Sequence, residues 1–384
     1  MPGKAVQVED LKPLTSLRFV AAIMIVLLHC LNYFKWGWLV YVPGTAVHGV
    51  SFFFVLSGFI LSHVYSSRPD ISYGRFIWTR FARLWPIHVA AIIFLVLTVP
   101  PGSVTFDGPG MFDKWIVLGF NLLLTHSLFP FPAYSFSWNA VSWSISTELF
   151  FYLCFPFLLK NIVSSWHWKL VVSLLPLASL ALLANVVELP LGSATVETPS
   201  TYMLIYTNPL FRGFEFCLGL ASWVCWKRLS VISVSRAIAT IIEVAAIVLA
   251  VFWLKTGFST YGMATLPPTT IVGQWFSVAG SSWVFAVVII VLATGRGWIG
   301  FLLSLRPFVW LGEISFAIYM LHQILQKIFV TSLLDWHYEW VFFPLLILLS
   351  AAAHHGIELP CRKLLLSIRF SSLMGISKRA SAAP

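Results

Sequence analysis

Apolar stretches long enough to cross a bilayer as helices recur from one end of this 384-residue chain to the other. A spanning helix needs about 20 apolar residues. In lipid every backbone polar group must find an internal partner, which leaves helices or closed barrels. The stretches here are continuous and do not alternate with period two, so helices are expected. Composition agrees, with 59% hydrophobic and 10% charged residues, where a soluble domain carries about 25% charge. The expected fold class is all-α: a polytopic transmembrane helical bundle of about ten spans, forming a single membrane-embedded domain over 1–384. The first apolar run is long and no small-residue cleavage site follows it, so it reads as a retained helix and not a signal peptide.

Candidate spans fall at about 14–34, 46–66, 77–99, 138–159, 169–187, 204–226, 235–254, 277–294, 308–331 and 338–357. Arg68 and Arg75, Lys160 and Lys169, Lys227, Arg228 and Arg236, and Arg296 and Arg306 sit in or beside every second loop. The loops between them, 100–113, 188–203 and 332–337, carry Asp107, Asp113, Glu188, Glu197 and Asp335 and no Lys or Arg. This alternation holds if 114–130, which is apolar but contains Asn121 and His126, is re-entrant or interfacial and does not cross. The positive-inside rule then places both termini in the cytoplasm: a short segment 1–13 and a tail 358–384. The expected location is the inner (plasma) membrane. A net charge of +10 in so apolar a chain reflects basic cytoplasmic loops and not a nucleic-acid surface. The five cysteines form no CxxC, so neither a disulfide framework nor a zinc site is indicated.

Several polar groups stand inside the apolar runs, where they are costly. Arg18 and His29 are eleven residues apart. At about 100° per residue they share one helix face, separated by about 16 Å. Taken alone, Arg18 reads as an interfacial anchor and His29 as a satisfied bundle histidine. Arg80 and Arg83 are spaced i,i+3 at the start of the third span; with Arg75 they make a fork suited to phosphate, or an ordinary basic anchor. Pro86 should disturb the helix just beyond. Glu148 is the one acid in its span, with Ser144 four residues before it on the same face. A lone carboxylate needs a partner: a structural arginine, or His29, whose tautomer it would fix. Ser57-Gly58 permits close helix approach. Glu313, Tyr319 and His322 occupy the ninth span, and Glu358 ends the last.

Taken in order, "LTSLRFVAAIMIVLLH", "GVSFFFVLSGFILS", "RFIWTRFARLWP", "SWSISTELFFYLCFP", "LGEISFAIYMLH" and "IELP" make the sequence resemble the acyltransferase-3 family of integral membrane acyltransferases over nearly its whole length. The arginine–histidine spacing of that family falls on Arg18 and His29, its arginine pair on Arg80 and Arg83, and its serine–glutamate motif on Ser144 and Glu148. Ser51 departs from the acidic residue usual there, and Leu149 and Phe150 from a more polar pair that could alter the substrate lining. No appended soluble domain is expected.

The resemblance implies transfer of an acyl group, commonly acetyl, from acyl-CoA to a hydroxyl of a sugar, with a carbohydrate or glycolipid acceptor and no metal. A hydroxyl needs a base within reach as it attacks a thioester. His29 is expected in that role, with Glu148 in hydrogen-bond range of it or one water away, and Ser144 supporting. Arg80 and Arg83 would hold the donor phosphates, assisted by Arg18, all opening to one cavity. Ser57, Tyr319 and His322 are candidate cavity residues. The alternative is a transporter or flippase of a lipid-linked saccharide, in which His29, Glu148 and His322 form a proton path. A non-catalytic partner in polysaccharide assembly is a third.

Overall fold

The computed structural model describes residues 10–42, 44–67, 72–184, 186–331 and 339–367, and among these there is no strand. The helices are α1 (Lys12–Tyr33), α2 (Gly49–Tyr65), α3 (Tyr73–Thr98), α4 (Lys114–Leu122), α5 (Pro132–Ser135) and α6 (Trp143–Leu159). There follow α7 (Ile162–Ser173), α8 (Leu175–Leu183), α9 (Thr201–Thr207), α10 (Pro209–Leu229), α11 (Arg236–Phe252) and α12 (Met263–Thr265). The last are α13 (Ile271–Ala279), α14 (Ser282–Leu292), α15 (Trp298–Leu303), α16 (Arg306–Thr331), α17 (Glu339–Ala353) and α18 (Leu359–Ser367). Among the described residues nine helical stretches are long and apolar enough to cross a membrane. The chain is an all-α, multi-pass helical bundle.

α10 lies outside those nine stretches but is long enough for a further crossing. Its 21 residues measure about 31 Å at 1.5 Å per residue. Arg212 and Glu215 interrupt its apolar character, but they neutralise each other in a buried ion pair at 2.5 Å.

The basic loops gather at one end of the bundle. Ser16 of α1 donates to the Leu303 carbonyl at 2.5 Å, and Tyr73 of α3 donates to Leu153 of α6 at 3.2 Å. Arg296 donates to the carbonyls of Ser230 and Ile232. At the opposite end Ala133 N–H donates to Val196 at 2.9 Å, and Lys327 donates to the Ser103 carbonyl at 2.8 Å.

The segment 114–130 enters and leaves from that opposite end. Asp113 caps α4 by accepting from the N–H groups of Trp115 and Ile116. Nine residues of α4 rise about 14 Å, less than half the hydrocarbon core. Leu124 then reverses the chain at φ 55°. Ser127 meets Ser146 of α6 at 2.7 Å, and Tyr134 returns to donate to Met111 at 2.8 Å. The segment is not among the stretches long enough to cross, in line with a re-entrant or interfacial path.

Two sequence expectations are corrected. α3 continues through Pro86 without a break; proline forfeits one backbone bond there, and the packed neighbours hold the helix. Residues from 358 onward are not simply a tail. A π-helical turn, His354–Glu358, leads into α18, which docks on α3 where Trp78 Nε1 donates to the Leu365 carbonyl at 2.9 Å. Residues 1–9, Arg68, the loop 332–338 and 368–384 lie outside the described residues.

The centre of the bundle is set by two parallel seams. α1 runs beside α16, and α2 beside α10. Small residues bring the second pair together: a Cβ on Gly219 would lie 2.0 Å from the Val55 carbonyl oxygen, and one on Gly58 2.2 Å from that of Phe216.

Candidate functional site

Two adjoining cavities lie between these seams. The first, about 630 Å³, opens among α1, α2, α3, α6 and α16 and is lined by Arg18, Ser57, Arg83, Ser144, Glu148 and Tyr319. The second, about 400 Å³, is lined by His29, Ala140, Trp143, Tyr206 and Gln323. Val50 and Tyr319 line both. The motif residues are therefore brought together, but in two chambers where the sequence suggested one.

In the first cavity Glu148 Oε1 accepts from Ser57 at 3.1 Å and from the Tyr152 hydroxyl. Arg18 and Arg83 are half-buried, and neither guanidinium hydrogen-bonds another described residue. Glu148 lies within electrostatic reach of both. Two cations and one carboxylate thus face a concave space with an excess of positive charge, a setting suited to an anionic ligand.

In the second cavity His29 Nδ1 lies 2.8 Å from His322 Nε2, the rings end to end with centroids 5.1 Å apart and planes within 18° of each other. His322 is fully buried. The expected Glu148–His29 pair is not formed. The helical register explains this. The re-entrant segment occupies the far half of the bundle, so α6 begins only at Trp143. Glu148 comes to the level of Arg18, whereas His29 stands about 16 Å further along α1.

Ser144 also differs from expectation. Its hydroxyl donates to the Val141 carbonyl at 3.1 Å and meets the Tyr319 hydroxyl at 2.8 Å. It braces the wall between the chambers and does not touch His29. Arg80 is not on the cavity wall: Nη2 donates to Tyr65 Oη at 2.7 Å, and the guanidinium packs over the rings of Tyr65, Phe76 and Tyr152. The two arginines share a helix face, but the aromatic contacts draw Arg80 aside and only Arg83 lines the cavity. Leu149 and Phe150 line neither cavity, so their departure from the family pattern leaves the lining unaltered. Glu313 is exposed.

Sequence reasoning missed several residues. Tyr152 was visible as the i+4 neighbour of Glu148. Arg212 and Glu215 were visible as opposite charges three apart in an apolar run. Arg212 also donates to Ser51 Oγ at 3.3 Å and lies over the rings of Phe54 and Trp143. Glu215 neutralises it, so no acid is needed at Ser51. Glu358, which the sequence placed at the end of the last span, pairs with His354 at 2.8 Å and stands within electrostatic reach of Arg83. Trp143 and Tyr206, with centroids 4.8 Å apart, had no sequence signal, because aromatic residues are scattered throughout the chain.

Comparison with known proteins gives the family. A family profile described as an acyltransferase domain matches residues 13–353. The acyltransferase MdmB of Streptomyces mycarofaciens is 28% identical over 345 residues, covering 84% of this chain and 80% of that protein. Protein 2 in the picA locus of Rhizobium radiobacter is 36% identical over 85 residues, 21% of this chain and 42% of that protein. No solved structure matches significantly. The profile spans the bundle from the start of α1 to the end of α17, taking in both cavities, and the chain belongs to the acyltransferase-3 family of integral membrane acyltransferases.

Proposed function

We propose that this protein transfers an acyl group, acetyl in the first instance, from acyl-CoA to a hydroxyl of a sugar or glycolipid acceptor. The observation that carries the reading is the pair of half-buried guanidiniums, Arg18 and Arg83, that face one cavity without a hydrogen-bonding partner among the described residues. Buried charge persists only where something compensates it. The phosphates of coenzyme A have the matching chemistry. The basic end is the cytoplasmic end on this reading, where acyl-CoA is available, and the location is the inner membrane.

The donor's arm then extends past Val50 and Tyr319 toward His29. The acceptor occupies the second cavity, where the faces of Trp143 and Tyr206 suit the apolar face of a sugar ring. His29 Nε2 takes the proton of the acceptor hydroxyl as its oxygen attacks the thioester carbonyl. The C–O bond forms, the C–S bond breaks, and the departing thiolate recovers the proton from His29. Glu148 belongs to the donor side: it orders Ser57 and Tyr152 and tempers the charge of Arg18 and Arg83. No metal enters this chemistry.

The test uses protein reconstituted in closed proteoliposomes, labelled acetyl-CoA and a panel of sugar acceptors. Thioester consumption with label on the acceptor is expected, with His29→Ala reduced by about 10²–10⁴-fold. Uptake of a lipid-linked saccharide with no thioester consumed would instead favour transport.

A further inference from the structure

The hydrogen bonds on the α1–α16 seam have a direction. His322 Nδ1 lies 2.6 Å from the carbonyl oxygen of Tyr319. A carbonyl only accepts, so Nδ1 carries the proton. His322 is fully buried, and no carboxylate of a described residue hydrogen-bonds either imidazole. A second proton would leave an unpaired charge in an apolar interior. The ring is therefore neutral, and its Nε2 is a lone pair. The 2.8 Å contact with His29 needs one proton, and only His29 Nδ1 can provide it. A neutral His29 protonated on Nδ1 has a bare Nε2, and the residue lines the cavity that holds Trp143, Tyr206 and Gln323.

We infer that His322 is a positioning residue that fixes His29 in the tautomer able to accept a proton, doing so through the backbone carbonyl of Tyr319 in place of a carboxylate. The inference rests on the reading of His29 as the base. The chain of donors runs from His29 Nδ1–H to His322 Nε2, and from His322 Nδ1–H to the carbonyl. When His29 takes up the hydroxyl proton at Nε2, its bond to His322 becomes charge-assisted and stronger. The imidazolium is then supported at the moment it forms, and it discharges when the proton passes to the leaving thiolate. The resting pair carries no net charge, which suits its depth in the bundle.

The test compares His322→Leu with His322→Gln in the full-length protein. Leucine removes the acceptor. Glutamine retains both directions: its amide donates to the Tyr319 carbonyl and its oxygen accepts from His29. The leucine variant is expected to lose about 100-fold in kcat at an unchanged KM for acetyl-CoA, because a histidine in the wrong tautomer is a poor base. The glutamine variant should recover at least tenfold of that loss. Solid-state ¹⁵N spectra of histidine-labelled protein, assigned by difference from His29→Ala, should show His29 protonated on Nδ1 in the native protein and in the glutamine variant, and a tautomer mixture in the leucine variant. Equal activity of all three overturns the inference, as does equal impairment of Leu and Gln with His29 unchanged. Should the leucine variant fail to fold, the native spectrum decides, and protonation of His29 on Nε2 overturns the inference. Full turnover by His29→Ala would instead overturn the reading of His29 as the base.

Discussion

Tyr152 donates its hydroxyl proton to Glu148, one helical turn before it on α6, and the oxygen that accepts is also the one bound by Ser57. The other carboxylate oxygen has no hydrogen-bond partner among the described residues. Glu148 therefore acts on Arg18 and Arg83 through space, as the negative charge in a cavity lined by two guanidiniums.

Glu148→Gln keeps the shape of this cavity and removes the charge. The KM for acyl-CoA is expected to stay level or fall, since a more positive cavity holds a polyanion at least as well. Turnover is expected to fall about tenfold as release of free coenzyme A slows, a change of about 1.4 kcal/mol. Steady-state kinetics with added coenzyme A as product inhibitor would read both effects. A tenfold rise in KM would count against this placement of Glu148.

The three arginines separate by the directions in which they point. Arg18→Ala and Arg83→Ala each remove a charged donor from the cavity wall. Charge-assisted bonds of about 1.5–3 kcal/mol translate into a KM for acyl-CoA raised about 10–100-fold. Lysine should restore only part, because a point charge lacks the planar fork. Arg80 packs on Tyr65, Phe76 and Tyr152, so Arg80→Ala should lower thermal stability more than donor affinity. Equal KM effects at all three positions would mean that Arg80 turns into the cavity when the donor binds.

The span pattern was legible because hydrophobicity and charge act locally: lipid demands apolar helices, and basic residues mark alternate loops. The re-entrant segment was legible for the same reason, since only a non-crossing 114–130 keeps Lys160 and Arg228 on the side of Arg80. The face shared by Arg18 and His29 was also legible, as it depends on helix geometry alone. What the sequence hid was depth across different helices. Glu148 is far along the motif-bearing stretch, yet only five residues beyond the start of α6 at Trp143. That start depends on the path of residues 123–142, which tertiary contacts decide. The same holds for His322: its spacing from Tyr319 could be read, but its meeting with His29 rests on the parallel run of α1 and α16.

Topology gives a prediction independent of catalysis. On a background lacking the five native cysteines, Ser103→Cys and Val231→Cys each place one thiol in a connecting segment, and Ser164→Cys places one in the first turn of α7. An impermeant maleimide should label the first in intact cells and the other two only after permeabilisation, as the positive-inside rule requires. Labelling of Ser164→Cys from outside would invert every helix after α4.

The close approach of α2 and α10 at Gly58 and Gly219 predicts a coupling between packing and function. The obstacle to a side chain at either position is backbone carbonyl oxygen, 2.2 Å from a Cβ on Gly58 and 2.0 Å from one on Gly219. A side chain can rotate away from such an overlap, but backbone cannot, so α2 and α10 must separate. Overpacking of this kind costs about 1–3 kcal/mol. Ser57 is the neighbour of Gly58, and its 3.1 Å bond to Glu148 moves with α2. Gly219→Ala should therefore lower the thermal midpoint in detergent and impair turnover together. Gly213→Ala, on the same helix with nothing within 4 Å of its Cβ, is the control and should be neutral or slightly stabilising, since alanine restricts the unfolded chain and favours helix. If both variants unfold at the same temperature and retain full activity, the two helices do not meet at these glycines, and the seam that places Ser57 against Glu148 would have to be drawn elsewhere.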